Sequence, residues 1–96
     1  LAELTERIKE LPGVEDAIVF KREYKEGQRE RLASLVVVRG VSAEQLRVQL
    51  SKQIDPVFMP RWLYIMAALP YTATGKLPRG NLLAVLENRI AEEKTC

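Results

Sequence analysis

The sequence predicts an α+β domain, a small three-stranded sheet carrying three helices in the order α-β-β-α-β-loop-α. Three observations predict it. Apolar residues recur at helical spacing near the start, in the middle and at the end of the chain. Three short stretches between them are rich in β-branched and aromatic residues. The whole is 96 residues, enough for one domain with one modest core. A sheet that must bury its apolar faces takes helices as its cover.

Leu1, Leu4, Ile8 and Leu11 fall on one stripe, with Glu3, Glu6, Arg7, Lys9 and Glu10 between them, and Pro12-Gly13 ends that helix. Residues 14–24, VEDAIVFKREY, read as the first strand, and the polar stretch from Lys25 to Glu30, with Gly27, as a hairpin tip. The return strand, RLASLVVVR, is apolar on both faces from Leu35 to Val38, which predicts cover on both sides. Ser42-Ala43-Glu44-Gln45 spells a capping box, flanked by Val41 and Leu46 at the staple positions. The helix it opens is expected to run to about Ile54, with Leu46, Leu50 and Ile54 inward and Pro56 and Pro60 marking the exit. Residues 62–69, WLYIMAAL, read as a third strand ended by Pro70, with Trp62 and Tyr64 as core. NLLAVLENRIAEEK, residues 81–94, is a last helix with Leu82, Leu86 and Ile90 on one stripe. The pattern leaves open whether the third strand pairs beside the first or the second.

Composition narrows the function classes. Fifteen basic residues against thirteen acidic give +2 with the signs interspersed, so there is no clustered basic face for nucleic acid. The charges around the hairpin, Lys21, Arg22, Lys25, Arg29 and Arg31, alternate with glutamates and read as a solvated tip. No apolar run reaches the length of a membrane span, and neither a membrane span nor a signal peptide is expected. Histidine is absent, which excludes Ser-His or Cys-His nucleophile pairs and histidine-ligated metal; no metal site is expected. Cys96 is the only cysteine, so no intrachain disulfide forms, and a reducing, cytoplasmic setting is expected.

The unusual stretch is LPYTATGKLPRG, residues 69–80. Pro70 and Pro78 restrict the backbone on either side, Gly75 permits positive φ beside Lys76, and Thr72 and Thr74 can bond the loop's own backbone. Tyr71 is placed to anchor it. A phosphate-binding loop is excluded, because Pro70 stands where its first glycine belongs and Leu77 where its hydroxyl belongs. On residue physics alone the stretch also reads as a hydrophilic turn whose lysine is ordinary solvated charge.

Leu69, Pro70, Thr72, Thr74, Gly75, Lys76, Leu77, Arg79 and Leu82 fall in register with L-P-x-T-x-[ST/N]-G-K-[IVL]-x-R-x-x-L. That phrase closes the C-terminal subdomain of the adenylate-forming (AMP-binding) superfamily, which includes acyl-CoA synthetases, nonribosomal peptide synthetase adenylation domains and luciferases. ELTERIKELPGVEDAIV and AEQLRVQLSKQIDPVFMPRWLYIMAALP resemble the family's upstream segments in the same order. Tyr71 stands where CoA synthetases commonly have Lys or Arg, and Pro78 and Gly80 replace residues that are usually polar or basic.

The resemblance implies that residues 1–96 are the mobile lid subdomain of an AMP-forming ligase. The N-terminal adenylation domain, which holds ATP with Mg²⁺ and the acyl or amino acid substrate, would lie outside this chain. It implies that Lys76 is the catalytic lysine at the ATP and adenylate site. Thr72, Thr74, Gly75 and Arg79 would position the loop. After a rotation the lid would help to form a site for the thiol of CoA or of a carrier protein's phosphopantetheine. Alone, the chain is expected to be inactive. The alternative is a free-standing interaction module, or a lid acting in trans, with the same fold.

Overall fold

The structure, a computed structural model, describes residues 2–22 and 31–95. Its elements are α1 (Ala2–Lys9), β1 (Val14–Arg22), β2 (Arg31–Val38), α2 (Ala43–Ser51), a 3₁₀ turn (Pro56–Phe58), β3 (Trp62–Ile65) and α3 (Arg79–Thr95). This is the α+β order expected of the sequence. The expected hairpin tip, with Lys25 and Arg29, lies outside the described residues.

The sheet order is β1-β2-β3, with β1 antiparallel to β2 and β3 parallel to it. A parallel neighbour needs a crossover long enough to return to the starting edge, and α2 is that crossover. The pairing left open by the pattern is thereby settled in favour of β2. As the central strand, β2 is covered on both faces, and Leu35 and Val36 are both fully buried.

Two apolar clusters lie on opposite faces of the sheet. Ala17, Val19, Val36 and Leu63 pack with Ile8 and Leu11 from the α1 segment and with Leu46 and Leu50 of α2. Phe20, Ala33 and Leu35 pack with Leu82, Leu86 and Ile90 of α3 and with Leu69. Successive strand residues point to opposite faces, so one apolar strand feeds both clusters. At the outer edge of β1, Thr5 of α1 accepts a hydrogen bond from the Val19 amide at 3.1 Å, satisfying a donor that the ladder leaves unpaired. Ser34 of β2 is fully buried, and its hydroxyl has no hydrogen-bond partner.

Three boundaries differ from expectation. The capping box of α2 forms in both directions, with the Ser42 amide donating to Gln45 Oε1 at 2.8 Å and the Gln45 amide to Ser42 Oγ at 3.2 Å. The helix nevertheless ends at Ser51, because Asp55 precedes a proline and is held extended, where it caps the 3₁₀ turn. β3 ends at Ile65 rather than residue 69. Ala67 and Ala68 are exposed in a bend, since apolar content there reflects the approach of Leu69 to the core and not pairing. α3 starts at Arg79, two residues early, because the Pro78 carbonyl accepts from both the Asn81 and Leu82 amides and so opens the helix.

Candidate functional site: a braced lysine turn

The chain leaves β3, buries Leu69 in the α3-side cluster, and returns to that cluster at Leu77. Between these two apolar plugs, residues 70–76 form a closed turn. The Thr72 amide donates to the Lys76 carbonyl at 2.8 Å, and the Gly75 amide donates to the Thr72 carbonyl at 2.9 Å. The Thr72 hydroxyl accepts from the Lys76 amide at 3.1 Å and lies 3.0 Å from the Thr74 hydroxyl. Gly75 sits at φ +79°, a left-handed conformation that β-carbon-bearing residues rarely adopt. Thr72, Thr74, Gly75 and Lys76 are therefore brought together as one hydrogen-bonded unit. Arg79 is not part of that turn; it lies on the first turn of α3 and is exposed.

The Lys76 side chain is exposed, and among the described residues its ammonium has no ion-pair partner. The turn thus carries an exposed ammonium on a backbone closed by its own hydrogen bonds. The turn alone encloses nothing. Among the described residues, no group of three or more His, Cys, Asp or Glu is arranged to hold a metal ion. Among the same residues, no helix is long and apolar enough to cross a membrane.

Two further contacts fix the turn's N-terminal side. Asn81 donates to the Pro70 carbonyl at 3.4 Å, and the Tyr71 hydroxyl donates to Asp16 Oδ2 of β1 at 2.6 Å. That hydrogen bond, with smaller contributions from desolvation and the carboxylate's charge, raises the Tyr71 pKa above the ordinary tyrosine value. Asp16 was not a sequence candidate. No local signal singles it out, since β1 also carries Glu15, Lys21 and Arg22, and its partner is 55 residues away.

The aromatic residues of β3 also stand differently from expectation. Trp62 and Tyr64 are half-buried on the rim of the α3-side cluster, not inside it. The Arg22 guanidinium lies 4.8 Å from the centre of the Trp62 ring, and that of Arg89 lies 5.4 Å from Tyr64. Arg22 also forms a two-point pair with Glu87 of α3, Nε to Oε1 at 2.5 Å and Nη2 to Oε2 at 2.8 Å. Arg22 is thus a structural tie between β1 and α3, correcting the expectation of a solvated hairpin charge. Tyr64 donates to Glu93; burial, that hydrogen bond and the glutamate's charge together push its pKa up to about 12.

The fold recurs in known proteins. Surfactin synthase subunit 3 of Bacillus subtilis (strain 168) is 31% identical over 93 residues, covering 97% of this chain. The structure of a Mycobacterium tuberculosis fatty acyl CoA synthetase superposes with a TM-score of 0.72 at 26% identity, covering 84% of this chain. An NRPS protein containing adenylation and PCP domains, solved with a vinylsulfonamide inhibitor, superposes at 0.71 with 27% identity over 86% of this chain. The chain spans only 7%, 16% and 14% of those three chains respectively. Residues 3–76, from α1 through the lysine turn, match the AMP-binding enzyme C-terminal domain, and the chain belongs to that family.

Proposed function

We propose that this domain is the lid of an acid–thiol ligase and that Lys76 is its contribution to acyl-adenylate formation. The observation that carries the reading is the exposed Lys76 ammonium on a turn closed by Thr72 and Gly75. In that half-reaction a carboxylate oxygen attacks the α-phosphorus of ATP, the bond from that phosphorus to the bridging oxygen breaks, and pyrophosphate leaves with the electron pair. Two anions must approach, and negative charge gathers on the phosphate oxygens. An ammonium held at that seam offsets the repulsion and stabilises the developing charge, and a fixed group does so without reorganising.

The nucleotide, its Mg²⁺ and the acid belong, on this reading, to an N-terminal adenylation domain in the same protein. The described residues offer no cluster fit for the metal, and no step on this chain depends on it. In the second half-reaction the sulfur of CoA or of a carrier-bound phosphopantetheine attacks the acyl carbon and AMP leaves. Lys76 has no part in that step. The domain would turn another face to the thiol, as its likeness to both acyl-CoA and peptide synthetases suggests.

The test uses the intact protein that carries this domain. Lys76→Ala is expected to slow adenylate formation, read as acid-dependent exchange between pyrophosphate and ATP, by about 10²–10³-fold. Thioester formation from preformed acyl-adenylate is expected to stay near its original rate. Equal losses in the two half-reactions would remove the assigned role.

A further inference from the structure

We infer that Tyr71 and Asp16 are positioning residues that fix the lysine turn onto the edge of the sheet. The inference rests on the reading of Lys76 given above and extends it to two residues that never touch substrate. Asp16 has partners of its own besides Tyr71. Its Oδ1 accepts from the Ala17 amide at 2.9 Å and lies 3.9 Å from the Lys9 ammonium of the α1 helix. Its Oδ2 is thereby left for the Tyr71 hydroxyl.

The β1–β2 register shifts between Val14 and Asp16, an irregularity of the kind that sets the direction of a nearby side chain at a strand end. Asp16 thus stands at the end of β1, where the returning loop passes. Tyr71 adjoins Thr72, which makes every closing hydrogen bond of the turn. A continuous path runs from the sheet through Asp16, the Tyr71 ring and Thr72 to the Lys76 backbone.

The C-terminal side of the turn needs no such device. Leu77 packs against the α3-side cluster and Pro78 opens α3. On the N-terminal side Leu69 is buried in the same cluster, but Tyr71 is half-exposed, so between Leu69 and Thr72 the chain is held by the long Asn81 bond to Pro70 and by the Tyr71–Asp16 bond. Without the phenol–carboxylate bond, the turn keeps its internal shape but swings on Leu69 and Leu77. The lysine then samples positions off the line of attack. A positioning error reduces the rate of the step that uses the lysine and leaves substrate binding nearly unchanged.

The experiment compares Tyr71→Phe, Asp16→Asn, Asp16→Ala and Lys76→Ala in the intact protein, measuring both half-reactions and separating kcat from KM. Tyr71→Phe keeps the ring and removes only the hydroxyl. It is expected to lower kcat for adenylate formation about 3- to 10-fold, in line with losing one solvent-exposed hydrogen bond, with KM and the thioester half-reaction unmoved. Asp16→Asn, which retains an oxygen acceptor, is expected to keep more activity than Asp16→Ala. Adding Tyr71→Phe to Lys76→Ala should cause no further loss, because with the ammonium gone its placement no longer matters. Tyr71→Phe at the original rate, or an equal loss in both half-reactions, overturns the inference. So does a full further loss in the Lys76→Ala background. If Lys76→Ala itself leaves adenylate formation intact, the lysine's role falls and the tether's role falls with it. If Lys76→Ala is impaired while Tyr71→Phe is not, only the tether falls.

Discussion

Gly75→Ala isolates the backbone cost of the lysine turn, because an added β-carbon there would meet nothing within 4 Å. What remains is the dihedral: alanine at φ +79° costs about 1–2 kcal/mol. Alanine also restricts the unfolded chain, which returns about 0.4–1 kcal/mol. The net destabilisation is therefore about 1 kcal/mol, or a fall in Tm of roughly 4–8 °C for a domain of this size. Gly13→Ala is the control, since Gly13 also has positive φ, +87°, but lies in a crowded place. Its β-carbon would come 2.9 Å from Val41 Cγ1 and 3.0 Å from the Arg39 carbonyl oxygen, and the Arg39 amide is itself bonded to Gly13. Overpacking adds to strain there, and a cost of roughly 2–4 kcal/mol is expected. Gly75→Asn should be milder than Gly75→Ala, because asparagine tolerates the left-handed region better. Urea unfolding followed by the fluorescence of Trp62, the only tryptophan, orders the three variants. Gly75→Ala as damaging as Gly13→Ala, or asparagine no better than alanine at residue 75, would refute the reasoning.

Ser34→Ala is expected to stabilise the fold by about 1 kcal/mol, because it removes a buried hydroxyl with no partner; a lower midpoint in urea would contradict that. Tyr64 is expected to ionise near pH 12, seen as late-appearing absorbance of its phenolate, and Glu93→Gln should lower that value. Because the folded value lies above the unfolded value near 10, the native state holds this proton longer. The associated stability is therefore complete below about pH 10 and is lost as pH rises through 12, a fall that Tyr64→Phe should abolish.

Local chemistry was legible and long-range partnership was not. The capping box at Ser42 and the helical stripes of Leu46 and Leu50 or Leu82 and Leu86 involve neighbours a few residues apart, so the sequence displays them directly. The Thr72–Gly75–Lys76 turn is equally local, and its residues carry their own hydrogen-bonding logic. Strand order was not readable, since alternation reports which face a residue takes and not which strand lies beside it. Residues 66–69 misled because apolar content marks burial without saying what conformation achieves it. Asp16 and Tyr71 meet across 55 residues, and neither is unusual in its own segment. Arg22 looked like surface charge for the same reason, its partners Glu87 and Trp62 being supplied by distant elements.

The central strand divides the interior into two compartments that share a wall and little else. Leu69 and Leu77, which flank the lysine, both belong to the compartment roofed by α3. Damage under that roof should therefore reach the lysine turn directly, whereas repacking beneath α1 and α2 reaches it only across the three-stranded partition or through the Lys9–Asp16–Tyr71 contacts. Variation in the α1–α2 compartment is accordingly the safer place for such a domain to adapt its stability without disturbing the lysine turn.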